Sequence, residues 1–66
     1  MENIRVTNEY KVAVTDTDGF PFTLYYWVDT EADAVREALA DLSRNNLQPK
    51  KINVELEKSN ILVEMV

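Results

Sequence analysis

The side chains that could carry out chemistry in this sequence are carboxylates and hydroxyls, because histidine and cysteine are both absent. The usual pairings of a nucleophile with a base depend on those two residue types. Ser43 and Ser59 have no lysine placed to activate them, and Gly19 is the only glycine, so a glycine-rich phosphate loop is missing as well. We therefore predict that the protein is not an enzyme.

The same two absences limit the metals and cofactors that the chain could hold. Zinc, haem and iron–sulfur clusters depend on histidine and cysteine ligands, which leaves oxygen-ligated ions such as calcium. The run Asp16-Thr17-Asp18-Gly19 resembles the start of a calcium loop, but Tyr25 occupies the position where an acidic ligand is needed. Its Asp-Gly pair favours a hairpin turn instead. We expect no metal and no cofactor.

Three acidic residues, Asp33, Glu37 and Asp41, are spaced four apart in a segment with helical periodicity. On a helix this spacing forms a row of carboxylates about 6 Å apart. Such a row could imitate the phosphates of a nucleic acid and bind a basic site on another protein. The alternative is a solvated face that keeps a small protein in solution.

Two large aromatic residues, Tyr25 and Trp27, occupy odd-numbered positions of an alternating strand, on the face opposite its apolar residues. Alternation places them on the sheet face opposite the helix, with Lys11 across the hairpin and with Leu62 if the register of the last strand allows it. Tyrosine and tryptophan are enriched among the residues that dominate protein interfaces. This face is the predicted partner-binding site, unless the aromatic side chains only cover one another or the end of the sheet.

The elements that position these residues follow from hydrophobic periodicity. Period-two alternation predicts strands over residues 4–14 and 20–28, with a bulge near Asn8 or a strand start near Glu9. Alternation returns over residues 51–57, and a short turn at residues 58–60 separates that strand from an apolar segment, residues 61–66. Pro21 is compatible with an edge strand.

A helix is predicted over residues 31–44, capped at its start by Asp29 or Thr30, with Asp33 completing an approximate capping box. Asn45 or Asn46 suits the left-handed position that ends a helix, and Pro49 prevents continuation. The expected apolar stripe of this helix lies at positions spaced i, i+3, i+4 and i+7. These positions are Val35, Ala38, Leu39 and Leu42.

Together these elements predict a single α+β domain, 1–66, with a ββαββ plan: a four-stranded, mainly antiparallel sheet with one helix packed on one face. The plan resembles that of many small proteins, phage-encoded inhibitors among them, but no family motif matches residue by residue. A chain of 66 residues leaves a thin margin of stability, which packing or self-association must supply.

The formal charge of −5 disfavours direct binding to nucleic acid. Neither a signal peptide nor a membrane-spanning segment is evident, so a cytoplasmic protein without a membrane role is expected. Three functions remain open. The first is a protein-binding module that uses the aromatic face for a homodimer or another partner, the second is an inhibitor that uses the acidic helix, and the third is a subunit of a larger assembly.

Overall fold

The computed structural model describes residues 3–65, which form one antiparallel sheet and one helix. The elements are β1 (Asn3–Asp16), β2 (Pro21–Val28), α1 (Glu31–Arg44) and β3 (Pro49–Met65). The strand order is β2-β1-β3, so β1 is central. The predicted α+β class is confirmed, but the predicted four strands are wrong because the sheet has three. Val66, the last residue of the predicted fourth strand, lies outside the described residues.

The third and fourth predicted strands are one strand, β3, which pairs with β1 from Asp16–Pro49 to Asn3–Met65. The register shifts on both sides of Glu9, and β3 holds two more residues than β1 between the pairs Thr7–Ile61 and Tyr10–Leu56. This irregularity is a β-bulge and not a chain reversal. The predicted turn at residues 58–60 is therefore wrong.

Asn60 makes the bulge possible, since it adopts a left-handed backbone with φ of 56°. Asparagine tolerates this region better than most residues. Its backbone N–H donates to Oδ1 of Asn8 at 3.3 Å. The irregularity predicted near Asn8 is thus present at that level of the sheet, but the extra residues belong to β3.

The hairpin between β1 and β2 is confirmed. Oδ1 of Asp16 accepts the backbone N–H groups of Asp18 and Phe20, both at 2.9 Å, and Gly19 adopts a φ of 87°. The Asp16 carboxylate thus satisfies backbone N–H groups of its own turn, as is typical of aspartate in tight turns. Pro21 begins β2, which is an edge strand.

The predicted bounds of the helix are confirmed, and both of its ends are capped. At the start, Oγ1 of Thr30 accepts the backbone N–H of Asp33 at 3.1 Å. At the end, Asn46 has a φ of 56° and the N–H of Leu47 donates to the carbonyl of Leu42 at 2.9 Å, which is a Schellman motif. The carboxylate of Asp33 binds Arg36, so the second half of the capping box does not form.

The core lies between α1 and the part of β1 that precedes the hairpin turn. Its buried apolar residues are Tyr10, Val12, Val14, Ala34, Ala38 and Leu42. The predicted stripe is correct at Ala38 and Leu42, but the helix is rotated so that Ala34 is buried and Leu39 is largely exposed. Small side chains one turn apart face the sheet, where two alanines allow close packing.

The sheet is much longer than the helix that covers it. The longest dimension of the molecule is 48 Å, whereas the 14 residues of α1 span about 21 Å at a typical helical rise. The pairing of β2 with β1 stops at Asn8, so residues 3–7 and 61–65 form a two-stranded ribbon beyond it. Ile4 and Val6 continue the alternation of Tyr10 and Val12, yet both are more than half exposed.

Candidate functional site

The sheet face opposite α1, called the outer face below, displays the two predicted aromatic residues. In β2 the odd-numbered residues are exposed and the even-numbered residues are half-buried. Tyr25 is 55% exposed and Trp27 is 57% exposed. Lys11 lies opposite Tyr25 in the register of β1, so the structure brings these three predicted residues to one face.

A hydrogen bond fixes the orientation of the Trp27 side chain. Its Nε1 donates to Oε2 of Glu9, directly across the strand pair, at 2.9 Å. The indole donor is therefore satisfied within the protein, while the ring remains available for contact. A large ring held in one orientation loses little entropy when a partner covers it. The sequence offered no signal that Glu9 has this role.

The charged residues that flank the aromatic pair nearly cancel. Each of two rows across the sheet contains one aromatic, one acidic and one basic residue, since Lys11 faces Glu55 and Glu9 faces Lys58 in the register of β3. The net negative charge of the chain is therefore carried elsewhere. A contact at this face depends on aromatic packing more than on long-range electrostatics.

A polar cluster centred on Asp29 borders the outer face beyond Trp27. Oδ1 of Asp29 accepts the Thr7 hydroxyl at 2.7 Å and lies 3.1 Å from Nη2 of Arg5, while its carbonyl accepts from Nδ2 of Asn8 at 3.0 Å. The Thr7 hydroxyl, and then Arg5, hold the pKa of this carboxyl below its ordinary value. The cluster ties the connection between β2 and α1 to β1. Sequence reasoning missed it, because Asp29 read only as a possible helix cap.

Leu62 does not join the outer face. It lies opposite Val6 in the register, and the alternation of β1 puts Val6 on the same side of the sheet as Tyr10 and the helix. The structure therefore separates Leu62 from Tyr25 and Trp27. It groups Leu62 with exposed apolar residues of the ribbon instead.

The acidic row on α1 is largely engaged in contacts within the protein. Asp33 pairs with Arg36 at 3.0 Å. Asp41 pairs with Arg44 and also accepts the Tyr26 hydroxyl at 2.5 Å. Glu37 is exposed. Two of the three charges are thus offset by arginines, so the row presents a weaker negative surface than its sequence indicates.

The Tyr26 hydroxyl joins the sheet to the acidic row. Burial raises the pKa of this phenol, the nearby Glu37 carboxylate raises it further, and Arg44 acts in the opposite direction. The phenol therefore stays protonated at neutral pH and donates to Asp41. This bond gives Asp41 a role in packing the helix on the sheet.

An open groove of about 480 Å³ lies at the end of α1, below its Schellman motif. It is lined by Leu39, Leu42, Ser43, Asn46, Leu47, Gln48 and Pro49.

Among residues 3–65, no group of three acidic side chains is arranged to hold a metal ion, and no helix is long and apolar enough to cross a membrane. Comparisons with models of protein families, with curated proteins and with solved structures find no match to this chain.

Proposed function

We propose that this protein is a non-enzymatic protein-binding module whose outer face, centred on Tyr25 and Trp27, contacts another protein. The observation that supports the proposal is the pair of aromatic side chains, each more than half exposed, on a sheet face without a helix. Exposed tyrosine and tryptophan side chains on a rigid strand are the residue types that dominate binding energy in protein interfaces.

The charge of the outer face indicates the kind of partner. Nucleic acid would need a basic surface, and here each basic residue in the two rows faces an acidic one. The suitable partner is a protein with an apolar patch and a polar rim, which would cover the two rings while leaving the flanking charges in water.

The direct test is the removal of one ring at a time. Trp27→Ala is expected to weaken binding by about 2 kcal/mol, which is about 30-fold in Kd, as for an interface hot spot. Phe20→Ala is the matched control, because Phe20 is an aromatic of similar exposure in the hairpin loop, away from the outer face. Both variants should keep the circular dichroism spectrum of the wild type.

The partner can be captured with a photoreactive phenylalanine analogue at position 25, and with the same analogue at position 20 as the control. A protein that is crosslinked only from position 25, and whose crosslinking is lost when Trp27→Ala is added, supports the proposal. A partner whose affinity is the same for the wild type and for Trp27→Ala would refute it.

Salt separates this proposal from binding through the acidic helix. Aromatic contacts respond weakly to ionic strength, whereas a complex held by the acidic row weakens steeply as salt rises. Glu37→Lys is the suitable probe, because Glu37 is the exposed member of the row and Asp41 has a packing role. Binding lost in Glu37→Lys and in high salt, but retained in Trp27→Ala, would assign the interaction to the helix instead.

A further inference from the structure

The ribbon beyond the helix and the adjacent part of β3 carry a second exposed apolar surface. Its members share the helix side of the sheet and are between 54% and 70% exposed. This strip consists of Ile4, Val6, Leu56 and Leu62. In the register, Val6 faces Leu62 and Leu56 faces the buried Tyr10, so the strip continues the core past the end of the helix.

The molecule exposes more surface than a compact protein of its mass. Its accessible surface is 4979 Å² for 7.6 kDa, against about 4,300 Å² expected for a folded monomer of that mass. Its radius of gyration is 13.5 Å, against about 11 Å expected for its length. The ribbon accounts for this elongation, since the sheet extends beyond both α1 and β2.

We propose that the strip of Ile4, Val6, Leu56 and Leu62 binds the same strip of a second copy of this chain, forming a symmetric homodimer. The excess surface of the whole molecule, about 700 Å², which the strip shares with the rest of the ribbon, is comparable with the roughly 800 Å² that each partner buries in a stable interface. This inference goes beyond the binding proposed for the outer face and does not depend on it.

The chemistry of the strip favours a second copy over a charged partner. In a two-fold contact, a surface meets itself, so any charged side chain near the axis is placed close to its own copy. The four strip residues are uncharged, although the chain as a whole carries a charge of −5. Glu64 faces Ile4 at the far end of the strip, so a two-fold axis near the pair Val6–Leu62 would keep this carboxylate away from its own copy.

The unpaired strand edges of the ribbon are a second reason to expect that another copy packs on it. β2 does not pair with residues 3–7, so β1 has an open edge there, and β3 has an open edge along residues 61–65. A two-stranded ribbon is at best marginally stable in water on its own. Apposition of two ribbons in a dimer gives each one the hydrophobic cover that α1 gives to the rest of the sheet.

The test is sedimentation of the whole chain from low micromolar to near millimolar concentration. The wild type is expected to approach twice the 7.6 kDa mass of the chain. Leu62→Glu, at the most exposed strip residue, should weaken the dimer by about 100-fold or more, since each dimer contains the change twice. Phe20→Glu adds the same charge at a similarly exposed apolar residue outside the strip, and should leave the dimer unchanged.

Single-cysteine variants give an independent readout, because the chain has no cysteine of its own. A short bis-maleimide should link Leu62→Cys into a covalent dimer and should not link Phe20→Cys. A wild type that is monomeric at every concentration, or a dimer that survives Leu62→Glu, overturns the proposal. A dimer lost in Trp27→Ala and retained in Leu62→Glu also overturns it, and would assign self-association to the outer face.

Discussion

The hydrogen bond between Tyr26 and Asp41 gives the sharpest prediction about stability, because it joins the edge strand to the helix. Tyr26→Phe removes the hydroxyl and keeps the ring, and Asp41→Asn removes the charge and keeps the shape of the acceptor. We expect each single change to destabilise the fold. We expect the double variant to lose less than the sum of the two single effects, because Tyr26→Phe removes this charged hydrogen bond and Asp41→Asn weakens the same bond.

The size of the destabilisation follows from the charge of the acceptor and the exposure of the hydrogen bond. A hydrogen bond to a charged group contributes about 1.5–3 kcal/mol to stability, and partial exposure at this site lowers the expectation to about 1–2 kcal/mol. In a domain of this length, each kcal/mol shifts Tm by about 4–8 °C. Tyr26→Phe should therefore melt roughly 5–15 °C below the wild type.

The pH dependence has a definite sign. The folded phenol has a pKa above its ordinary value near 10.0. Its contribution to stability is therefore fully present below the pKa of the unfolded phenol and is lost as pH rises through the folded pKa. The wild type should lose stability at alkaline pH more steeply than Tyr26→Phe.

The assay is urea unfolding followed by circular dichroism, with Glu37→Gln as the control. This change also removes one charge from the acidic row, but from an exposed residue, so it should leave the midpoint nearly unchanged. Equal midpoints for the wild type and Tyr26→Phe, or single effects that add fully in the double variant, would refute the role assigned to this bond.

Two further predictions concern Asp29 and Asn60. Because folding lowers the pKa of Asp29, its carboxylate stabilises the fold above the ordinary value of 3.8, and this stabilisation is lost as pH falls through the folded pKa. Asp29→Asn should therefore lower the melting temperature at pH 7 and make the melting temperature less dependent on pH in the acid range. Identical pH profiles for the wild type and Asp29→Asn would contradict this. Asn60→Val should destabilise the fold by about 1–2 kcal/mol in urea unfolding because φ is positive, whereas Asn60→Gly should not. Equal effects of the two changes would contradict the bulge assignment.

The features that the sequence predicted correctly depend on local signals. The Asp-Gly pair of the hairpin, the Thr30 cap and the left-handed Asn46 each act within a few residues of the chain. Their geometry is set by short-range hydrogen bonds that need no knowledge of the rest of the fold. The same holds for the alternation that placed Tyr25 and Trp27 together on one face.

The features that the sequence missed depend on distant pairing. Lys58-Ser59-Asn60 has the composition of a turn, but pairing with β1 keeps β3 extended and converts the segment to a bulge. Two extra residues preserve the alternation of sides, so Leu62 stays on the side of Leu56. The helix rotation toward Ala34 also follows from packing on the sheet, which periodicity alone does not specify.

The central position of β1 has a consequence for the order of folding. The hairpin and the helix close over short separations, whereas β3 joins β1 through pairs as distant as Asn3 with Met65. Contacts of that separation form slowly because chain closure opposes them, so the docking of β3 should limit the folding rate. Until it docks, one whole edge of β1 is open, so intermolecular strand pairing should compete with folding at that stage.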